Sequence, residues 1–109
     1  LRITGGYDHN YVTDGYNKAS IREIAEAWSE KTGIQMNVFT DCPCVQFYAA
    51  NFVDQEHGKN GHVYNKREAF CLETQVEPNA VNVENFHSPI LEAGERYYSE
   101  TIYRFSMKK

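Results

Sequence analysis

The residue best suited to acid–base chemistry is Glu73, which lies two positions before the polar Gln75 in a predicted strand. Residues 69–75 (AFCLETQ) alternate in polarity, so these two side chains share one face while Phe70 and Leu72 share the other. A carboxylate that lines a cleft can act as a general base when partial burial brings its pKa toward the working pH. Because glutamate is usually exposed, the residues by themselves favour a solvated strand face for Glu73 over a catalytic one.

Two further polar residues, Gln46 and Asp8, lie where they could bind hydroxyl groups of a ligand. Gln46 falls in a predicted strand at residues 45–52 and would stand beside Glu73 if the two strands pair. Its neutral amide can orient a hydroxyl without competing for the proton. Asp8 follows two glycines, which let a loop approach a ligand closely. The ordinary alternatives are an exposed strand glutamine and an aspartate in an Asx turn.

Alternation of polar and apolar residues predicts that β-strands position these side chains. The predicted strands are residues 34–39, 45–52, 69–75 and 96–107. Loop composition marks residues 5–20, 54–68 and 76–89. Strands joined by long polar loops, with no secure helix, indicate an all-β fold, an antiparallel β-sandwich. The length suits one domain with no internal boundary.

Residues 20–31 are compatible with two kinds of secondary structure. Ser20 and Glu23 have the spacing of a helical capping box, and the apolar residues that follow fall at helical spacing. Against this, residues 30–33 are typical of a hairpin turn that leads into strand 34–39. Because a hairpin needs a partner strand in front of its turn, we predict a strand here.

The charge and composition of the chain exclude several classes of partner. Its 109 residues carry 15 acidic and 11 basic side chains, for a net charge of −4, without a basic block. That balance disfavours nucleic acid and anionic membrane surfaces as partners. No apolar run approaches the roughly 20 residues of a membrane span, and the opening LRITGG lacks the apolar region of a signal peptide.

The three cysteines, Cys42, Cys44 and Cys71, do not suggest a disulfide framework, because their number is odd. Reduced thiols in a cytoplasmic protein are the simpler interpretation. Cys42 and Cys44 are closer together than the cysteines of usual zinc sites, even with His57 and His62 in the chain, so we expect no metal. Phosphate-binding and dinucleotide-binding glycine motifs are also missing from the sequence, and we expect no cofactor.

Four stretches, in order along the chain, resemble the aldose 1-epimerase (galactose mutarotase) family. They are GYDHN at residues 6–10, VQFY at 45–48, FCLETQ at 70–75, and GERY leading to TIYRF at 94–105. The combination of GYDHN with LETQ is specific, whereas either alone would be weak. The resemblance implies that residues 1–109 are the C-terminal part of a single domain, a large antiparallel sandwich of the galactose mutarotase-like supersandwich type. That fold also favours a strand over residues 20–29.

The family reaction interconverts the α and β anomers of free hexoses such as galactose and glucose, so the resemblance implies roles for three residues. Glu73 matches the general base that removes the C1 hydroxyl proton. Asp8 matches a carboxylate that holds sugar hydroxyls, and Gln46 matches a polar residue of the same pocket. The family acid is a histidine upstream of GYDHN, as are a second histidine and an arginine that bind substrate. We therefore expect a missing N-terminal part of the parent protein to complete the enzyme, and residues 1–109 alone to have little or no activity.

Some positions depart from the family pattern, which bears on substrate preference rather than on Glu73. Cys44 stands where the family usually has a glycine, and Ala49 and Ala50 stand where it has Thr-Gly. His87 interrupts a stretch before Pro89 that resembles the family's Phe-Pro-Ser. The alternative function is a non-catalytic carbohydrate-binding β-sandwich module, which would hold a sugar without turnover. A pair of upstream histidines in the full-length protein would favour the enzyme over the binding module.

Overall fold

Antiparallel sheets make up the fold, as the alternation predicted. The computed structural model describes residues 1–18 and 20–108. Within them the strands are β1 (Asp8–Val12), β2 (Arg22–Trp28), β3 (Ile34–Thr40), β4 (Cys44–Tyr48), β5 (Glu56–His57), β6 (Val63–Tyr64), β7 (Cys71–Gln75) and β8 (Thr101–Met107). Helix occurs in these described ranges as 3₁₀ turns at Lys59–Gly61 and Ala80–Asn82. Neither turn has the length and apolarity that a membrane crossing requires.

The main strands lie in two sheets that differ in strand order. The front sheet has the order β1-β4-β7 and the back sheet the order β2-β3-β8. All neighbouring strands run antiparallel. In the front sheet β4 is central, and Gln46 lies opposite Asn10 on one side and Glu73 on the other. The strands that carry Gln46 and Glu73 therefore pair directly, and the all-β fold class is confirmed.

The segment compatible with either helix or strand forms β2, which confirms the hairpin argument. The turn into β3 closes at Gly33, which has a φ of +73° and donates its N–H to the carbonyl of Ser29 over 2.8 Å. Glu23, the second residue of the apparent capping box, instead accepts a hydrogen bond from Asn37 Nδ2 on β3 at 2.6 Å. Cross-strand pairing outweighs local helix propensity here, because a short isolated helix is only marginally stable.

The prediction of a loop over residues 5–20 is wrong at its centre, where β1 forms. Residues such as Asp8 and Asn10 are typical of loops, yet their backbones pair with β4 over the whole of β1. An outer strand tolerates this composition, because packing against neighbours matters more than intrinsic preference in a sheet. The position of Asp8 is thus set by strand pairing rather than by a flexible loop.

Two predicted strands are shorter than the alternation suggested. β4 ends at Tyr48, because Ala50 turns the chain with a φ of +50°. β8 begins at Thr101, opposite Thr40, where its partner β3 ends. The predicted loop at residues 54–68 contains the small hairpin of β5 and β6. The start of β8 thus follows the end of its partner strand, and the end of β4 follows the turn at Ala50. Alternation of polar and apolar residues reveals neither.

Hydrogen bonds between the sheets show which side of each strand faces inward. Tyr103 Oη on β8 donates to the carbonyl of Leu72 on β7 at 2.6 Å. The hydroxyls of Thr74 and Thr101 lie 2.6 Å apart. The face of β7 that carries Leu72 and Thr74 therefore meets the back sheet, and the face that carries Glu73 points away from it.

The core lies between these inner faces. Val38 and Thr40 of β3 and Val45 of β4 are buried, and Val38 and Thr40 are completely so. The Thr40 hydroxyl bonds to the carbonyl of Glu100 at 3.0 Å and lies 3.1 Å from the Thr101 hydroxyl. A buried threonine is thus satisfied by the chain that enters β8, as buried polar groups usually are.

Arg22, at the start of β2, bonds to segments that belong to both sheets. Its guanidinium donates to the carbonyl oxygens of Asp14 at 2.9 Å, Thr40 at 3.1 Å and Cys42 at 2.9 Å. It also donates to the hydroxyl of Thr13, just after β1. The planar guanidinium has five N–H donors, so one side chain can satisfy several carbonyls at once. Arg22 thereby connects the ends of β1, β3 and β4.

The accessible surface is large for a chain of this mass. It measures 8515 Å², whereas a self-contained monomer of 12.6 kDa has about 6,200 Å². The radius of gyration is 16.6 Å, compared with about 13 Å for a compact domain of this length. Large exposed aromatic side chains include Trp28, Phe52, Tyr97, Tyr98 and Phe105. The chain therefore leaves apolar surface that further protein could cover.

Replacing Arg22 with Met should lower the free energy of unfolding of the full-length protein by about 2–3 kcal/mol, because several carbonyls would lose a charged donor. Urea unfolding followed by tryptophan fluorescence would measure the change. Arg96→Met, at an exposed position, is the matched control and should change stability by less than about 0.5 kcal/mol. Equal losses in the two variants would contradict the connecting role of Arg22.

Candidate functional site

The outer face of the front sheet is strongly polar, and we call its polar residues the polar face. Because opposed residues of antiparallel strands share a face, the pairing register brings residues of β1, β4 and β7 together there. The polar face consists of Asp8, Asn10, Gln46, Glu73 and Gln75. Its members lie on the side of the sheet opposite to the core, so they are available to a ligand.

The three residues predicted to form a site, Asp8, Gln46 and Glu73, all lie on the polar face. Gln46 Nε2 donates to Asp8 Oδ1 at 2.7 Å. Gln46 and Glu73 are opposed residues of β4 and β7, and side chains in that relation have Cβ atoms about 5 Å apart. The fold therefore brings the three together, whereas their roles stay predictions.

The polar face is open to solvent, in contrast to the partly dry hollow that a base would need. Asp8 and Glu73 are exposed, and Gln46 is half-buried. The sheet supplies a floor for a ligand, because its side chains all project in one direction. It supplies no cover over Glu73 within the described ranges 1–18 and 20–108. A closed site would require protein on the far side of the ligand.

Two members of the polar face, Gln75 and Asn10, were not predicted as site residues. Gln75 Nε2 donates to Asn10 Oδ1 at 2.9 Å and to Gln46 Oε1 at 3.2 Å. Alternation already placed Gln75 beside Glu73, so the period of two was a usable signal. Asn10 gave no such signal, because β1 was predicted as a loop.

The backbone before Asp8 is held in place by side chains from the segment after β4. Asn51 is buried, and its Nδ2 donates to the carbonyl of Tyr7 at 2.7 Å. Arg67 Nη2 donates to the carbonyl of Gly5 at 2.7 Å. Gly6 has a φ of +143°, and a Cβ there would overlap the Asn51 side chain. Close packing against Asn51 thus explains the glycine at position 6, whereas a Cβ at Gly5 would meet open space.

Glu77 and His87 anchor the segment that follows β7. Glu77 is buried, and its carboxylate oxygens lie 2.9 and 3.0 Å from His87 Nδ1. The backbone N–H of His87 also donates to Glu77 Oε2 at 3.1 Å. Burial by itself would raise the pKa of Glu77, but hydrogen bonds from its own backbone and from His87 outweigh burial and hold the pKa below its ordinary value. His87, which departs from the family pattern, thus has Glu77 as its partner. The sequence did not predict this contact.

Cys44 lies on the outer side of β4 but differs from the polar face in being fully buried. Burial raises the pKa of the Cys44 thiol, so the thiol is neutral at neutral pH. Cys42 is also buried, and both thiols, like the exposed Cys71, are free. Among the residues that the structure describes, no cluster of three or more His, Cys, Asp or Glu side chains could hold a metal ion.

Comparison with known proteins relates this chain to one protein family. The family described as Aldose 1-epimerase matches residues 1–104. The chain is 41% identical over 103 residues to galactose mutarotase of Homo sapiens and 40% identical over 103 residues to galactose mutarotase of Bos taurus. It is 29% identical over 106 residues to aldose 1-epimerase of Escherichia coli (strain K12).

These alignments cover nearly all of this chain but a minor share of each relative. They span 94% of the chain for the two mammalian relatives and 95% for the bacterial one. In every case they span 30% of the relative. The chain therefore corresponds to about 30% of the length of the curated relatives it matches.

The pairing of Glu77 with His87 should make stability depend on pH. Because the folded pKa of Glu77 lies below its ordinary value of 4.5, its contribution is complete above that pH and is lost as the pH falls through the folded pKa. The stability difference between the full-length protein and its Glu77→Gln variant should therefore shrink between about pH 6 and about pH 3. Urea unfolding at several pH values would measure it.

The matched control for this prediction is Glu84→Gln, since Glu84 is exposed. Its difference from the unchanged protein should be small at every pH, because exposed charges contribute little to stability. A Glu77→Gln difference that stays constant or grows on acidification would contradict the carboxylate's role.

Proposed function

This chain belongs to the aldose 1-epimerase family, and we propose that it is the C-terminal part of an enzyme that interconverts the α and β anomers of free hexoses such as galactose and glucose. The observation that carries the proposal is the convergence of Asp8, Gln46 and Glu73 on one face of the front sheet. A carboxylate base beside an amide and a second carboxylate is suited to a substrate that presents several hydroxyl groups.

In the proposed reaction Glu73 acts as the general base. It takes the proton of the C1 hydroxyl as the bond between C1 and the ring oxygen breaks, which gives the open-chain aldehyde. The ring oxygen receives a proton from an acid at the same time, so charge stays balanced. Rotation about the C1–C2 bond and closure in the reverse sense then give the other anomer.

Asp8 and Gln46 are proposed to hold the sugar hydroxyls while the ring opens. Asp8 accepts from Gln46 through Oδ1, and its second carboxylate oxygen can accept from a hydroxyl. Gln46 has two N–H groups, of which one is used on Asp8, so the other can donate to the substrate. Orientation of the ring relative to Glu73 would account for much of the rate acceleration.

The acid is proposed to come from a part of the protein that precedes this chain. In the resembling family it is a histidine upstream of GYDHN. His9 lies between Asp8 and Asn10 on β1, so alternation turns it away from the polar face. The large accessible surface and the exposure of Glu73 support a partner segment that covers this face and excludes water.

The free thiols of Cys42, Cys44 and Cys71 support a further proposal, that the enzyme acts in the cytoplasm. Reducing conditions there keep cysteines unpaired. Imaging of the tagged full-length protein in cells would test the location.

The alternative, a non-catalytic carbohydrate-binding module, uses the same polar face without the acid. It is favoured by the absence of a histidine from that face in residues 1–18 and 20–108. The two functions differ in what Glu73 does. A base changes the rate of anomer exchange, whereas a binding residue changes affinity for the sugar.

Replacing Glu73 with Gln in the full-length protein should lower kcat by about a hundredfold or more with a modest change in KM, because proton removal is lost while shape is kept. Polarimetry of freshly dissolved α-D-galactose measures both constants. Glu30→Gln, in the β2–β3 turn and exposed, is the control and should leave the kinetics unchanged. Normal turnover in Glu73→Gln would remove Glu73 from the base role and favour the binding module.

The 109-residue chain by itself should not accelerate mutarotation, because ring opening needs an acid as well as a base. The same polarimetric assay would show the buffer rate with this chain and a faster rate with the full-length protein. Circular dichroism would establish that the tested chain contains β-structure. Catalysis well above the buffer rate would contradict the proposal that the acid lies elsewhere.

A further inference from the structure

Gln75 lies on the polar face in a row of hydrogen-bonded side chains that also contains Asn10, Gln46 and Asp8. The proposed reaction assigns no role to Gln75. Its Nε2 donates both to Asn10 Oδ1 at 2.9 Å and to Gln46 Oε1 at 3.2 Å. Gln46 Nε2 in turn donates to Asp8 Oδ1 at 2.7 Å. The row thus crosses from β7 through β4 to β1, and it ends on a carboxylate that is proposed to hold the substrate.

The row determines which end of the Gln46 amide meets Asp8. An ionised carboxylate only accepts hydrogen bonds, so Gln46 must present its NH₂ group to Asp8 and its carbonyl oxygen to the other side. Gln75 supplies the donor that this oxygen needs. A group at position 75 that could only accept would favour the reversed amide, in which two oxygens would face each other at Asp8.

The direction of these bonds also bears on how well Gln46 can donate. Hydrogen bonds in a row polarise one another, so donation from Gln75 strengthens the donor character of the Gln46 N–H groups. Gln75 is half-buried, whereas Asp8 at the other end of the row is exposed. The more buried end of the row therefore supports the end that is open to a ligand.

We infer that Gln75 is a positioning residue that fixes the amide orientation of Gln46, and through it Asp8, for binding the hydroxyl groups of the hexose. The inference rests on the proposed function, because it adds a residue to the same site. Gln75 acts through Gln46 and need not touch the sugar. Its effect falls on substrate binding rather than on proton removal by Glu73.

The test compares Gln75→Met with Gln46→Met in the full-length protein, with α-D-galactose as substrate. Methionine keeps the approximate length and volume and removes the amide. Each change should lower kcat/KM by about tenfold, chiefly through KM, as expected for loss of a hydrogen bond used in binding. Gln35→Met is the matched control, since it removes a half-buried glutamine that bonds to Asn37 on β3 of the back sheet, and it should leave KM unchanged.

A double-mutant cycle separates positioning from general destabilisation. If Gln75 acts through Gln46, the double variant should be no worse than Gln46→Met alone. Losses that multiply would mean that the two residues act independently, and would overturn the inference. Gln75→Glu supplies a second variant of the same length, and its loss should exceed that of Gln75→Met, because an acceptor then faces Gln46 Oε1.

The outcomes keep this inference distinct from the proposed function. Unchanged kinetics in Gln46→Met would show that Gln46 does not bind the substrate. That result would contradict the proposed site, which depends on the contact between Gln46 and Asp8. Impaired kinetics in Gln46→Met with normal kinetics in Gln75→Met would overturn the role of Gln75 alone. Failure of both Gln75 variants to fold, judged by thermal melting, would make Gln75 a structural residue and would also overturn it.

Discussion

The register of β4 against its two neighbours is the constraint on which the candidate site depends. Side chains alternate between faces, so Gln46 meets Asn10 and Glu73 on the outer side only in the observed register. A shift of β7 by one residue would turn Glu73 toward the back sheet and bring Leu72 out to solvent. Burial of Val45 and its apolar neighbours on the inner side opposes that shift. The apolar side of these strands therefore fixes the arrangement of the polar side.

Both ends of β4 are held by side chains where regular strand pairing stops. Before β4, Arg22 bonds to the carbonyl of Cys42 and so ties the incoming chain to β2. After β4, Asn51 bonds to the carbonyl of Tyr7 and ties the outgoing chain to the start of β1. The carbonyl of Tyr7 also accepts from the backbone N–H of Ala49 at 3.0 Å, so Asn51 adds a second hydrogen bond at this point of the chain. The central strand is thus fixed along its length, which is what a site spread over three strands requires.

Period-two alternation predicted the strands that carry Gln46 and Glu73 and the face that each side chain occupies, because these strands have one buried side. It did not predict β1, whose composition around Asn10 is that of a loop and whose strand structure comes from pairing with β4. The contact between Glu77 and His87 could not be predicted from the sequence, for a different reason. Both residues lie in a predicted loop, and their contact depends on a chain path that no periodic pattern records.

Opening of a hexose ring places a geometric demand that one sheet face cannot meet. A proton leaves the C1 hydroxyl while another arrives at the ring oxygen, so acid and base must act on different atoms of the ring within one transition state. The side chains of the polar face project in one direction from the sheet, and Glu73 among them is exposed. Under the proposed function this face is one wall of the site, with the base and the hydroxyl acceptors on it. The opposite wall must then supply the acid, and its arrival would also remove the water that weakens every polar contact on this face.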